Sequence, residues 1–437
     1  MMRGTEEAGQ GPPDGGTSTG KIHEFSIAPG PLAGVGPLVE TGVDGILAPP
    51  GFKLRAVARH LFNPVDGQFD PLGLRGYAWH KAPDGGGCFA APDGGWVYVS
   101  NSESNSAGGV GALRFDCSGK LMDAYRVLDG TRRNCAGGVT PWHTWLSCEE
   151  VGDGQVFECD PFRDGTVAHA LPMLGRFDHE AAAVDLLTGS VFMTEDAGDG
   201  RFYRFLADPR DRTPDGQRLR LTQGRLQVLE VAGLENGGYA YSDAEARALR
   251  PVRWVDAVEP GLPQWGVREA LARQGRPVPG TCFRNAEGLW LYQVPSSLRW
   301  VPSGGRVPSR AFAFFACKAD NRIYALDVDN GLIETVFDNA LIELAVNDVD
   351  NLVVGPAGDV IVTEDGASTR LIVVVPNRPA RTLLEARHQD SELTGPAFSP
   401  DGSRLYFSSQ RGPNLGWLSK GTGVTYELTI PQQYRRS

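Results

Sequence analysis

Pro92-Asp93-Gly94-Gly95-Trp96-Val97-Tyr98-Val99 is a tight turn followed by a short run of aromatic and β-branched residues. Pro presets φ, Asp bonds its own backbone and Gly supplies positive φ, while Trp, Val and Tyr suit a half-buried pleated strand. The unit returns as Pro141-Trp142-His143-Thr144 before Trp145-Leu146, and as Thr188-Gly189-Ser190 before Val191-Phe192-Met193. It returns again at Phe312-Ala313-Phe314-Phe315, at Pro356-Ala357-Gly358-Asp359 before Val360-Ile361-Val362, and at Pro400-Asp401-Gly402-Ser403 before Arg404-Leu405-Tyr406-Phe407. With Trp96, Trp145, Phe192, Phe314, Ile361 and Tyr406 as anchors, four of the five intervals run from 45 to 49 residues. A period of ~40–50 residues carried by short strands marks four-stranded propeller blades. Six anchors predict an all-β chain folded as a six-bladed β-propeller.

The fifth interval, Phe192 to Phe314, is 122 residues long. It holds an Arg-, Gly- and Pro-rich stretch, Arg204 to Gly280, with two helix-like runs at Ser242–Leu249 and Trp265–Arg273. This predicts a partly helical insertion over 204–280 on one face of the propeller, because insertions in repeat folds collect in loops. Residues 1–24 read as a disordered lead-in, and 25–430 as one propeller domain. Met1–Gly20 has no apolar run and no signal-peptide pattern.

Composition agrees with a turn-rich, packed β chain. Of 437 residues, 56 are Gly and 31 Pro, yet 41% are hydrophobic. That is about one Gly or Pro in five, against ~12% on average, which rules out a long helical bundle. A net charge of −11 argues against nonspecific nucleic-acid binding, which needs a basic surface. No apolar stretch is long enough to span a bilayer; Leu371–Val375 is the longest strongly apolar one. The seven cysteines lack CxxC spacing. Cys148 and Cys159 flank a turn symmetrically and read as two reduced core cysteines or as a disulfide across a hairpin.

The repeated runs end in polar or acidic groups: Ser102-Glu103, Cys148-Glu149-Glu150, Thr194-Glu195-Asp196, Lys318-Ala319-Asp320, Thr363-Glu364-Asp365 and Ser409-Gln410. Read as the innermost strands of a propeller, they bring carboxylates to one channel mouth, where mutual repulsion calls for cations. Oxygen ligands alone suit Ca²⁺, and a set that includes a thiolate also takes iron or another transition metal. Taken singly, an acid such as Asp365 before Gly366 reads as an ordinary turn residue.

The segment Asn134-Cys135-Ala136-Gly137-Gly138-Val139-Thr140-Pro141-Trp142-His143-Thr144-Trp145-Leu146-Ser147-Cys148-Glu149-Glu150 resembles the NCAGG-x-TPWGTW-x-x-CEE motif of the PhoX-type alkaline phosphatase family. Gly175–Ala181, Thr194–Phe205, Asp350-Asn351-Leu352, Glu364-Asp365-Gly366 and Ser399–Gly402 extend the resemblance over about Ala48 to Gln410. The chain is similar to the shorter branch of that family. The resemblance implies a six-bladed propeller that holds iron (Fe³⁺, two ions) and calcium and hydrolyses phosphate esters. It implies Cys135, Glu180, Glu287 and Asp350 as iron ligands, Glu103 and Glu150 as calcium ligands with Glu149 in support, and Arg284 as a phosphate clamp. His143 stands where the motif has Gly, and reads as an extra donor or a surface turn residue. Arg284 stands one residue further from Glu287 than in the Arg-Pro-Glu of better-known members.

Such a cation cluster would neutralise non-bridging phosphate oxygens and lower the pKa of a bound water. The expected activity is a metal-dependent phosphomonoesterase, with phosphodiesterase activity as an extension, on a small phosphate ester, by a monomer without a membrane span. Two alternatives differ in class: a calcium-dependent lactonase-like propeller hydrolase, which needs no thiolate, and a non-catalytic calcium-stabilised binding propeller. Family members are usually exported, whereas the chain as written shows no signal, which leaves two readings open: a misassigned start, or a place of action inside the cell.

Overall fold

A computed structural model describes residues 30–162, 168–240, 249–299, 306–338, 346–366, 369–374, 380–413 and 422–435. The expected lead-in and all but the last residue of the expected helix Ser242–Leu249 lie outside these residues. The described chain is almost wholly β, with one α-helix, Gln264–Arg273, close to the expected Trp265–Arg273. No helix among the described residues is long and apolar enough to cross a membrane.

The strands form a propeller-like arrangement of five hydrogen-bonded sheets, three of four strands, one of six and one of nine. The first strands of successive runs are Pro83–Ala90, Asn134–Val139, His179–Asp185, Ala286–Gln293, Val349–Val354 and Leu393–Phe398. Each packs beside the next, and the last packs beside the first, so they close a ring about an axis. The nine-strand sheet arises because Arg250–Asp256 pairs with Leu332–Asp338 through Arg250↔Ile333 and Pro251↔Leu332, joining a five-strand run to a four-strand run. The ring is latched where Lys53–Arg59, from the start of the chain, pairs antiparallel with Val424–Thr429. Arg55 donates to both carboxylate oxygens of Glu427 across that seam.

Two sequence expectations change. The repeated runs are the second strands of their sheets, not the innermost: Trp96–Ser102 lies between Pro83–Ala90 and Gly108–Phe115. Every residue of Trp96–Ser102 is buried, so these strands carry a clear apolar signal, whereas the inner strands Pro83–Ala90 and Asn134–Val139 are rich in glycine. The region 204–280 is also more than an insertion. Phe202–Ala207, Gly224–Val231 and Arg250–Asp256 are consecutive strands of the nine-strand sheet. Their arginines hid the strand pattern: Arg204 binds Gln227 and lies 4.3 Å from the Trp254 ring centroid, and Arg253 binds Glu230.

The inner strands approach so closely that some positions exclude a side chain. A Cβ on Gly138 would lie 1.8 Å from the Ala182 carbonyl oxygen, and one on Gly288 would lie 2.5 Å from the Leu352 nitrogen. Both neighbours are backbone, which cannot rotate away. Large aromatics then fill the space between sheets, among them Trp79, Trp145, Tyr98, Tyr203 and Tyr406. All seven cysteines are free; Cys148 faces Val156 and Cys159 faces Trp145, so that hairpin holds no disulfide.

The helix is tied to the sheet by a buried ion pair. Arg268 donates to both oxygens of Glu195 at 3.1 and 2.9 Å and also to Asp199. Its side chain is 6% exposed and that of Glu195 is 0% exposed. Removing one partner leaves a buried charge unpaired, so Arg268→Ala should lose about 3–5 kcal/mol in denaturant unfolding. Gly138→Ala should lose about 3 kcal/mol in the same measurement, the upper range for overpacking, because the clash is with main chain. A wild-type midpoint in either variant would show that the corresponding contact is relieved in solution.

Candidate metal centre

Each inner strand breaks register near its start. The irregularities fall between Pro83 and Gly86, Asn134 and Gly137, His179 and Ala182, Ala286 and Leu289, and Val349 and Leu352. A bulge inserts an unpaired residue and re-aims its side chain. The first residue inside these five bulges is Asp84, Cys135, Glu180, Glu287 and Asp350 respectively. In Leu393–Phe398 the break lies between Thr394 and Ala397, and the corresponding residue is Gly395.

Polar residues on neighbouring strands hold the bulges. Asn101 donates to the carbonyls of Cys135 and Ala136 at 3.1 and 2.7 Å, and its own oxygen accepts from Trp145 and Ser147. Thr194 donates to the Glu287 carbonyl at 2.6 Å while accepting from the Ala181 amide. Asn351 donates to the Asp350 carboxylate and accepts from the Gly395 amide. Carbonyls and amides released from strand pairing by the bulges are thereby satisfied, which fixes the side chains between them.

Because the strands are antiparallel, the ends of the second strands reach the same mouth as the starts of the inner ones. Four groups of ligand atoms result, each lying within 4.8 Å of one another: Asp84–Glu103–Cys135, Cys135–Glu150–Glu180, Glu180–Glu287–Asp350 and Asp350–Asp365–Glu392. They share members and run as a chain around the mouth. Cys135, Glu180, Glu287, Asp350, Glu103 and Glu150, all expected from the sequence, come together here. Asp84, Asp365 and Glu392 join them. Asp84 and Glu392 escaped sequence reading because they stand at the starts of inner strands, not after the repeated runs; Asp365 did stand after one, where a turn role accounted for it.

Glu149 is not brought to the cluster. Its carboxylate accepts from the amides of Arg132 and Gln155 at 3.0 and 3.3 Å, closing the turn beside it. Its strand position alternates with that of Glu150, so the two acids diverge. Arg284 is half-buried in the turn that enters Ala286–Gln293, next to Asn285, whose amide binds Asp196 at 2.7 Å. His143 is exposed, with φ of 63°, in the Thr140–Thr144 turn at the opposite end of its strands. It is a turn residue remote from the mouth. The helix borders the mouth: its Trp265 ring reaches Gly152, in the turn that follows Glu150.

Among the described residues three side-chain cations stand in the acidic mouth, one of them Arg411, 2.9 Å from Glu392. Lys318 Nζ lies 2.8 Å from Asp350, 3.2 Å from Glu287 and 3.3 Å from Asp365. Arg133 bridges Glu103 and Glu150. They do not balance the acids. Burial first, and then neighbouring carboxylates, raise Glu180, Glu287, Asp84 and Glu392 well above the usual carboxylate range. Burial together with Glu103 and Asp196 pushes Glu150 up to about 10. Burial and the surrounding acids raise the Cys135 thiol as well.

The donor set fits a transition-metal pair at the inner layer. Neither oxygen of the fully buried Glu180 has a hydrogen-bond partner among the described residues. Glu180 belongs to both the Cys135–Glu150 group and the Glu287–Asp350 group, as a carboxylate between two ions does. A soft thiolate beside hard carboxylates suits iron better than calcium. The outer acids fit the expected calcium less well, since Arg133 already engages Glu103 and Glu150 while Glu149 points elsewhere.

A pH dependence follows. An acid whose folded pKa is raised stabilises the fold fully below its unfolded pKa and loses that contribution as pH rises through the folded value. The melting temperature of metal-free protein should therefore fall as pH rises above the ordinary carboxylate range toward the value of about 10 to which Glu150 is pushed. Added metal should restore it, and more at the alkaline end, because ligands must deprotonate to bind. A metal-free melting temperature that rises over that range would contradict the buried charge balance.

The sequence model of the family "Alkaline phosphatase PhoX" matches residues 105–294. Comparison with curated protein sequences gives no match. Among solved structures, Pseudomonas fluorescens PhoX in complex with vanadate, a transition state analogue, superposes with a TM-score of 0.70 at 16% identity, covering 92% of this chain and 99% of that one. A gluconolactonase from Xanthomonas campestris matches at a TM-score of 0.44 and 11% identity, covering 93% and 99%. The first of these shows the fold. The residues matched by the family model include Cys135, Glu180 and Glu287.

Proposed function

We propose that this chain is a metal-dependent hydrolase of small phosphate esters, with the mouth of the propeller as its active site. The observation that carries the reading is the buried, unpartnered carboxylate of Glu180, shared between a group with a thiolate and a group of carboxylates. The family match and the vanadate complex of the structural neighbour support phosphoryl chemistry for such a centre. Reading the nine-strand sheet as two blades joined at Arg250–Asp256 gives six blades, one inner strand each, around the site.

Cys135, Glu180, Glu287 and Asp350 would hold iron. Iron bound there supplies Lewis acidity that draws charge from the phosphoryl oxygens and acidifies water. The protein groups do the rest. Lys318, with its side chain 26% exposed, stands at the rim and can donate to a non-bridging phosphate oxygen while keeping Asp350 and Glu287 in place. Arg284, in the turn before Glu287, would add a guanidinium clamp on the same phosphate. Asn101, Thr194 and Asn351 keep the ligand-bearing bulges rigid, so little reorganisation is needed when charge develops in the transition state. The exposed Trp265 offers an apolar wall to the ester's leaving group.

Metal-replete protein should turn over p-nitrophenyl phosphate. Cys135→Ala and Glu180→Gln should each lower kcat by more than the roughly 10–100-fold that outer-shell changes cost. Both should lose bound iron by elemental analysis. Full iron content without ester cleavage would overturn the phosphatase reading.

A further inference from the structure

We infer that the Arg133 guanidinium stands where a calcium ion would between Glu103 and Glu150, so the chain itself supplies part of the positive charge that this side of the mouth calls for. Arg133 donates to Glu103 Oε1 from Nε at 3.0 Å and from Nη2 at 2.8 Å. The same Nη2 donates to Glu150 Oε2 at 2.7 Å. The other Glu103 oxygen accepts from the Gln410 amide at 2.7 Å. The bonds from Arg133 are charge-assisted, and the two from Nη2 lie in the short range typical of such pairs.

The backbone of Arg133 is held between the same two segments. Its amide donates to the carbonyl of Ser104, next to Glu103, and its carbonyl accepts from the amide of Glu150, at 3.0 and 2.9 Å. These bonds keep φ at 43°, a left-handed value uncommon for a residue with a long side chain. The guanidinium is thus delivered by a strained turn tied on both sides to the acids it bridges. It cannot lose its proton at any physiological pH, whereas a calcium ion can dissociate.

The third expected calcium ligand, Glu149, is committed to the amides of Arg132 and Gln155. Both oxygens of Glu103 and of Glu149 and one oxygen of Glu150 are thus engaged, which leaves far fewer free donors here than the roughly six to eight oxygens a calcium cage needs. Calcium dependence at this part of the mouth is therefore replaced by a side chain, while the inner Cys135–Glu180–Glu287–Asp350 set keeps its need for metal. This inference rests on the mouth being a cation site and not on its catalysing ester hydrolysis.

Equilibrium dialysis of the full chain against ⁴⁵Ca²⁺, paired with melting curves at increasing calcium, tests it. Wild type and Glu103→Gln should bind the same number of calcium ions per chain. Arg133→Gln should bind one more, and its melting temperature should rise with calcium beyond the wild-type response. Arg133→Lys should remain at the wild-type stoichiometry. A loss of one calcium in Glu103→Gln, or no gain in Arg133→Gln, would overturn the inference. If Arg133→Gln fails to fold, Glu103→Gln decides alone. Iron content and phosphate release are not read, so failure here is distinct from failure of the phosphatase proposal.

Discussion

A closed ring of strands can draw its main chains together only where no side chain stands between them. At Gly138 and Gly288 the next strand's backbone occupies the position a Cβ would need. This steric condition sets the diameter of the ring, and with it the distance between groups on different inner strands. Ligand atoms that are tens or hundreds of residues apart in sequence come within 4.8 Å of one another because the strands that bear them touch. Everything chemical about the mouth depends on that closeness.

Closeness creates an electrostatic problem that the protein resolves in layers. Bulges turn Asp84, Cys135, Glu180, Glu287 and Asp350 inward at equivalent places. A second tier, Glu103, Glu150, Asp196 and Asp365, arrives from the strands behind. Like charges at such separations in a poorly solvated site cannot all ionise without compensation. Lys318 compensates Asp350 and Glu287 of the inner tier, Arg133 compensates part of the outer tier, and Arg268 does the same for Glu195 further out. Glu180, at the centre, is left without a partner, and this is where a metal has most to gain.

How much of this was legible in the sequence varies from residue to residue. The period of the turn-and-strand unit revealed the propeller-like architecture because buried second strands, such as Trp96–Ser102, are rich in large apolar side chains. The inner strands Pro83–Ala90 and Asn134–Val139 escaped the same reading, since Gly-Gly-Gly and Asn-Cys-Ala-Gly-Gly have no strand signature. The strands within 204–280 were obscured by arginines whose partners, Gln227, Trp254 and Glu230, lie on adjacent strands. Cys135 and Glu180 were found through a family motif. Glu149 was grouped with Glu150 by adjacency, although neighbours on a strand point to opposite faces.

The sequence by itself determined the class of the fold and the chemical inventory of the site: a turn-punctuated β repeat, one thiol in a glycine-rich segment, and a surplus of carboxylates. These are local properties, set by residue type and spacing. Which acids meet, which are diverted to cap turns, and which are already answered by a lysine or an arginine were decided only by the tertiary structure. Those outcomes depend on distances between strands far apart in the chain and on the direction in which a bulge throws a side chain. Neither is a function of any short stretch of sequence.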